Sequence, residues 1–395
     1  MMSEMINKHR RHLMLAGSAL AAGALPLLAR AADAVKVGLI VPMSGPFAST
    51  GRQIEAAVKL YQQKYGETVA GRKVEILLKD DGGVSPDVTK RLAQELVARD
   101  KAQVLMGFGL TPLALAAAPI ATQAKVPMIV TAAATSIISQ RSPFIVRTGF
   151  TLAQVTAPLA SWAGKNGIKS VVTFVSDYGP GLDAEKVFVK NFSETGGKVI
   201  ESVRVPLRNP DYAPFLQRVK DAKPEALFVF VPSGEGAAVL KQFTERGLGA
   251  AGIRLICTGD VLDDDLMAGI GAAAKDVVSS HHYSAAHPSA ANKEYVESIA
   301  KANKGMRANF HSVGAYDGMH LLYESLKKTG GDADGAKLLA VMKGMSWESV
   351  RGPVTIDAAT RDIVQTVYMR KAELRGTEFY NVEFDQVVNV RDPGV

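Results

Sequence analysis

The stretch VGLIVPMSGPFASTGRQIEAAVKL, residues 37–60, changes its hydrophobic period halfway along. Residues 35–41 are apolar nearly throughout, the pattern of a strand buried on both faces of a parallel sheet. Further on the spacing becomes helical. Ile54, Ala57, Val58 and Tyr61 fall at i, i+3, i+4 and i+7, which leaves Arg52, Gln53, Lys59 and Gln62 for the solvent side. Between the two halves lies a loop of Ser, Gly, Pro and Thr. Loops that carry a parallel strand into a helix gather unpaired backbone N–H groups, and ligands of open α/β sheets sit at those carboxyl ends. The loop is therefore a candidate ligand site. It lacks GxGxxG and GxxxxGK[ST], so neither a dinucleotide nor a nucleoside triphosphate is indicated.

The alternation repeats downstream. KVEILLKDD, a helix over 86–99, QVLMGFG, a helix over 112–124 and VPMIVTAA form one series. SVVTFVSD, a helix over 183–194, KVIESVRV, a helix over 212–221, EALFVFVPS, a helix over 236–246 and RLICTGD form a second. Two βα series of similar length predict an α/β protein with two doubly wound lobes. PFIVRTGFTLAQ and VVSSHHYSAAHP each end a series and lead out of it. The helices over 293–303 and 312–328 add no βαβ unit and complete the first lobe. RGPVTIDAATRDIVQTVYMRKAEL returns strands to the second. The expected division is 35–148 with 284–348 for one lobe and 149–283 with 349–395 for the other. Three crossings then join the lobes around a cleft that opens and shuts.

The N-terminal segment is set apart from this pattern. Lys8, Arg10 and Arg11 precede an uncharged run over 13–29 and a small-x-small site at Ala29-Arg30-Ala31, which reads as a signal peptide cut near Ala31. The alternative is an uncleaved anchor, disfavoured by the short run and by Pro26. The paired arginines fit either a twin-arginine or a Sec route. Removing four basic residues and one acidic residue leaves 42 Lys and Arg against 38 Asp and Glu, a net charge of +4. No basic cluster marks a nucleic-acid face. Cys257 is the only cysteine, so no disulfide forms within the chain and no lipid-anchoring cysteine stands at the cleavage site. The expected location is the periplasm.

Enzyme constellations are missing: there is no HExxH and no GxSxG, and Cys257 lies in an apolar run that suits a buried, inert thiol. His281, His282 and His287 invite a metal reading. Adjacent strand residues point to opposite faces, however, so they read as surface or hinge histidines. Asp263, Asp264 and Asp265 read as charges at a helix start, and KDDGG over 79–83 as a turn. What remains is a set of hydroxyls at strand ends: Ser44, Thr111, Thr131 and Thr135. One such residue is an ordinary helix cap, whereas repetition at successive carboxyl ends favours a shared anion pocket.

In order along the chain, VGLIVPMSGPFASTG, GFGLTPLALAAAPIATQAKVPMIVTAAATS, FIVRTGF, VSDYGPG and VLKQFTERGL followed by CTGD resemble the Leu/Ile/Val-binding proteins of ABC transporters. The resemblance runs from Val35 to about Val390 and implies the type I periplasmic binding protein fold, two Rossmann-like lobes with a three-crossover hinge. It further implies that Thr111, after Gly109 and Leu110, holds a ligand carboxylate. A backbone carbonyl at Ala133 and a hydroxyl at Thr135 would meet ammonium and carboxylate. Tyr178 would close over the ligand, Asp260 would pair with an ammonium, and Phe310 would line the side-chain pocket.

Two departures bear on the ligand. The family's tyrosine is replaced near Pro232 and Ser233, and Thr50 stands where an aromatic residue is frequent. The expected function is capture of a branched-chain amino acid or a related small carboxylate, aromatic acids included, for an inner-membrane ABC permease. The protein is expected to act as a monomer, without cofactor, metal, nucleic acid or catalysis. A ligand sensor of the same fold and a secreted α/β enzyme are the alternatives.

Overall fold

The computed structural model describes residues 34–394 apart from Val84 and Asn209, so the signal-peptide reading of residues 1–31 falls outside the described residues. The opening stretch forms β1 (Val35–Val41) and α1 (Ala48–Tyr65). Then come β2 (Thr68–Val69), β3 (Arg72–Asp80), α2 (Pro86–Ala98), β4 (Val104–Gly107), α3 (Thr111–Ala124), β5 (Met128–Val130) and β6 (Ile145–Arg147). The entry to α2 is fixed as the sequence suggests, with Ser85 Oγ accepting from Val88 N and Pro86 in the first turn. These strands make a six-stranded sheet in the order β2-β3-β1-β4-β5-β6, all parallel except β2.

The second series contains α4 (Leu152–Lys165), β7 (Ser170–Ser176), α5 (Gly179–Glu194), β8 (Lys198–Val205) and α6 (Ala213–Ala222). It continues with β9 (Ala226–Phe230), α7 (Gly236–Glu245), β10 (Arg254–Thr258), α8 (Met267–Ile270) and β11 (Val278–His281). After α9 (Ala290–Ala302), α10 (Phe310–Lys328) and α11 (Gly335–Met342), the chain ends in β12 (Ser346–Ser349), β13 (Gly352–Ile356), β14 (Ile363–Arg375) and β15 (Glu378–Val390). The second sheet has nine strands, ordered β12-β13-β14-β11-β10-β9-β7-β8, with β15 paired to β14.

The chain passes between the sheets three times. It leaves β6 for α4, which packs on β10, β11 and β14. It leaves β11 for α9 and α10, which pack on α1, and it leaves α11 for β12. A Cβ on Gly318 of α10 would lie 2.6 Å from the Met106 side chain and 3.2 Å from that of Ile129, which places α10 hard against the first sheet. No described helix is long and apolar enough to cross a membrane.

Two details differ from the sequence reading. Gln53, assigned to the wet side of α1, is buried: its amide donates to Arg307 O at 2.9 Å and its carbonyl accepts from Asn309 N at 3.3 Å. His281 and His282, read as surface or hinge residues, do stand where β11 leads into the second crossing, but they are fully buried and pack against Phe150 with ring centroids at 4.6 and 4.9 Å. β11, which ends at His281, lies inside the second sheet between β10 and β14. His287 is half-buried, its Nδ1 2.8 Å from Glu383 Oε2.

Candidate functional site

In the first sheet β3 and β4 lie on opposite sides of β1, and in the second sheet β8 and β9 lie on opposite sides of β7. Loops diverge where strand order reverses in this way and leave a crevice at the carboxyl ends. A cavity, partly open to solvent, is lined from both sets of loops.

The first sheet contributes Phe47 and Thr50 beyond β1, Gly109 to Thr111 beyond β4, and Ala132 to Ala134 beyond β5. Thr111 opens α3, where the positive end of the helix dipole favours an anion. Its hydroxyl lies 2.8 Å from Thr135 Oγ1, and both residues are buried. Behind them stands Arg147, fully buried. It donates from Nη1 to Ala133 O at 3.2 Å, from Nη2 to Thr135 O at 2.9 Å and from Nε to Asp362 Oδ1 at 2.8 Å. The 133–135 loop is thus held by a cation from the rear. Gly179, at the start of α5, covers the threonine pair so closely that a Cβ there would sit 2.7 Å from Thr135 Oγ1.

The second sheet contributes Tyr178 and Pro180 beyond β7, Phe230, Pro232 and Ser233 at the end of β9, and Asp260 beyond β10. Tyr178 and Phe230 stack with centroids 6.1 Å apart and planes 20° apart, while Phe47, Leu110 and Leu113 pack against Tyr178. Burial, with Asp260 nearby, raises the Tyr178 phenol well above its ordinary range, so it remains a hydrogen-bond donor.

Asp260 and His311 form a second polar cluster. Both are buried and both line the cavity. Asp260 Oδ2 lies 3.5 Å from His281 Nε2, and neither it nor His311 Nδ1 has a hydrogen-bond partner. Burial pushes His281 down to about 4, although Asp260 pulls the other way. Burial likewise lowers His311 to about 3 and His282 well below its usual value. All three rings are neutral at pH 7.

Of the residues singled out in the sequence, Thr50, Gly109, Leu110, Thr111, Ala133, Tyr178, Ser233 and Asp260 line the cavity. Thr135 stands one hydrogen bond behind the wall, on Thr111. Ser44 does not reach it: it is exposed, and its hydroxyl serves the Asp80 carboxylate in the turn at 80–83. Phe310 does not line it either. As the first residue of α10 it faces the core, against Phe150 and His281, and the next residue, His311, takes the place at the cavity. Ser233 turns its hydroxyl to Asp263.

Phe47, Leu152, Phe230 and His311 escaped the sequence reading because each reads as core or as an ordinary helix residue. The aspartates at 263–265 are not helix charges. Asp263 accepts from Asn309 Nδ2 at 2.9 and 3.0 Å, Asp264 from Asn381 Nδ2 at 3.0 Å, and Asp265 from Ser49 Oγ at 2.8 Å. Two of these bonds tie the second sheet's loops to α1 and to the cap of α10. Ser136 N adds a third tie across the cleft, to Asp183 Oδ2 at 3.0 Å. Burial raises Asp183 to about 6 and Asp263 to about 7. Cys257 is buried, and burial raises its thiol. Among the described residues no group of three or more His, Cys, Asp or Glu could hold a metal ion.

Residues 34–377 match the family described as periplasmic binding protein. The "Leu/Ile/Val-binding protein homolog 6" of Brucella abortus (strain 2308) is 41% identical over 384 residues, 96% of this chain and 98% of its own. A solute binding protein of an ABC transporter from Rhodopseudomonas palustris BisB5, solved in complex with 3,4-dihydroxy benzoic acid, is 60% identical with a TM-score of 0.89. The match covers 91% of this chain and 99% of that one. A second R. palustris solute binding protein, in complex with 4-hydroxybenzoate, is 40% identical over the same shares, with the same TM-score. These relatives are described as binding proteins and not as enzymes. The chain belongs to the periplasmic binding protein family.

Proposed function

We propose that this protein captures a small aromatic monocarboxylate between its two lobes and delivers it to an inner-membrane ABC permease. It works as a monomer in the periplasm once residues 1–31 are removed, by binding and release without chemistry. The observation that carries the reading is the pairing of an uncharged anion-holding cluster, Thr111 at the start of α3, with walls built from Tyr178, Phe230 and Phe47. Aromatic walls offer flat contact area to a ring. The carbonyl of Ala133, which an amino-acid ligand would use for its ammonium, already accepts from Arg147. The aromatic acids bound by relatives at 60% and 40% identity support the same class.

Isothermal titration of stripped protein with benzoate, 4-hydroxybenzoate, 3,4-dihydroxybenzoate, leucine and valine tests it. Binding of at least one aromatic acid, with leucine and valine much weaker, is expected. Tight leucine or valine binding with no aromatic acid bound would overturn it.

A further inference from the structure

The helix that meets the cleft from the second sheet's side begins with a glycine that its own backbone does not need. Gly179 opens α5, with Pro180 beside it in the first turn, and its φ lies outside the left-handed region that favours glycine. Its chain neighbours and its own helix aside, the three atoms nearest to a Cβ built there all belong to the first sheet's loops: Thr135 Oγ1 at 2.7 Å, Thr135 Cγ2 at 3.4 Å and Thr111 Cγ2 at 3.5 Å. Two other glycines at helix starts on this side are crowded differently. A Cβ on Gly181 would meet Ser176 O at 1.9 Å, and one on Gly236, the first residue of α7, would meet Val261 O at 1.9 Å, both from the second sheet's own loops. Of the three, Gly179 alone is crowded from across the cleft.

We infer that Gly179 is a positioning residue for ligand capture: its missing side chain lets α5 seat on the pair of Thr111 and Thr135, and that seat sets how far the two lobes close. The inference rests on the reading above that the ligand is held between the lobes. The threonine pair cannot yield to a methyl group. Thr135 is β-branched and stiff at χ1, its hydroxyl lies 2.8 Å from Thr111 Oγ1, and its carbonyl accepts from Arg147 Nη2 at 2.9 Å. The next residue, Ser136, donates from N to Asp183 Oδ2 at 3.0 Å, one turn along the same helix, so backing α5 away would strain that bond as well. Gly179 itself does not line the cavity, whereas Tyr178 and Pro180, which flank it, do. A methyl group at 179 therefore leaves the ligand untouched and acts by holding the helix start, with Tyr178 on it, back from the first lobe. In an open cleft it meets nothing across the gap, and alanine restricts the unfolded chain more than glycine does, so the ligand-free fold is unharmed.

Gly179→Ala, titrated with 4-hydroxybenzoate beside wild type, tests the seat. Affinity is expected to fall by about 10- to 100-fold, the range for overfilling a close contact, mostly through faster release. The ligand-free variant should melt at or above the wild-type temperature, whereas Gly181→Ala should melt lower, because Ser176 O obstructs it within its own lobe. Removing the obstacle supplies a second arm: in a Thr135→Ala background, the same change at Gly179 should cost less than about threefold. Unchanged affinity, an equal loss in both backgrounds, or a lowered melting temperature of ligand-free Gly179→Ala would overturn the inference. If wild type binds leucine and no aromatic acid, the aromatic-acid reading falls, and the same proteins titrated with leucine decide the role of Gly179.

Discussion

The two polar clusters of the cavity are built on opposite plans. The first, from the first sheet, uses threonine hydroxyls and backbone groups held from behind: Thr111 bonds to Thr135, and the carbonyls of Ala133 and Thr135 accept from Arg147. The second, Asp260 with His281 and His311, uses titratable side chains left short of partners. A fully satisfied network is rigid, whereas an incomplete one gains most when something enters it. The first cluster is held in place by Arg147, whereas the second keeps bonding capacity that nothing in the fold meets.

The largest effect that would break this contrast lies behind the first cluster. Arg147→Met should destabilise the fold by about 3–5 kcal/mol, since Asp362 would be left buried without its counter-charge and two loop carbonyls would lose their donor. Urea denaturation measures it. A loss below about 1 kcal/mol would mean that the loop is held by its own backbone and the cation is incidental.

Next in size is the pH response of the second cluster. His281, His282 and His311 have folded values below the unfolded 6.5, so the stability they carry is complete above about 6.5 and is lost as pH falls towards 4. Asp183 and Asp263 oppose this. Their raised values, about 6 and about 7, give stability present at acid pH and lost as pH rises through them. His320 is lowered and Asp81 and Asp264 are raised in the same way, so the stability of the whole chain does not isolate the cluster. A comparison of wild type with His311→Phe at pH 7, 6, 5 and 4.5 does, and the melting temperature of the variant should fall less between pH 6 and 4.5. An equal change in the two proteins would show that His311 takes up its proton without cost and is not sealed in.

Thr111→Ala, one step smaller, should weaken carboxylate binding by about 1–3 kcal/mol, because a charged acceptor loses one hydroxyl donor and keeps the amides. Thr135→Ala should cost less, since Thr135 supports Thr111 from behind. Calorimetric titration of both variants with one aromatic acid ranks them. The reverse ranking would place Thr135 on the ligand and Thr111 behind it.

The first cluster was legible in the sequence and the second only through Asp260, for physical reasons. Parallel strands buried on both faces read as apolar runs, and the hydroxyls that follow them stand out, so Thr111 and Thr135 could be named from spacing alone. His311 could not. The pattern starts the helix at 312, whereas Asn309 caps it two residues earlier by accepting from His311 N and Ser312 N, and that shift puts His311 instead of Phe310 on the cavity. Asp263 to Asp265 resembled a charged helix start because their partners, Ser233, Asn309, Asn381 and Ser49, are 30 to 216 residues away. The strand β15 was missed because its second half is exposed and lacks a clean alternation, and α11 because eight residues give little periodicity.

The smallest expected effect concerns Asp183, whose side chain accepts from Ser136 N across the cleft. Burial raises its carboxyl to about 6; the bond from Ser136 N, Arg147 and Lys186 reduce the rise, and Asp392 adds to it. An open cleft would return this group towards its ordinary value near 4, so closure takes up a proton and is favoured as pH falls from 8 towards 6. Ligand affinity should rise modestly over that range. Asp183→Asn keeps an acceptor for Ser136 N and carries no charge to bury, so at pH 7.5 its affinity should match or slightly exceed wild type, by less than about threefold. Its affinity should also vary less with pH, the remainder coming from Asp263, which spans the same cleft through Ser233 and Asn309. Titration of both proteins at pH 6, 7 and 8 with the same aromatic acid separates the two aspartates. Identical pH profiles would show that Asp183 is equally buried before and after the ligand enters, and the tie to Ser136 would then belong to the frame of the cleft and not to its closing.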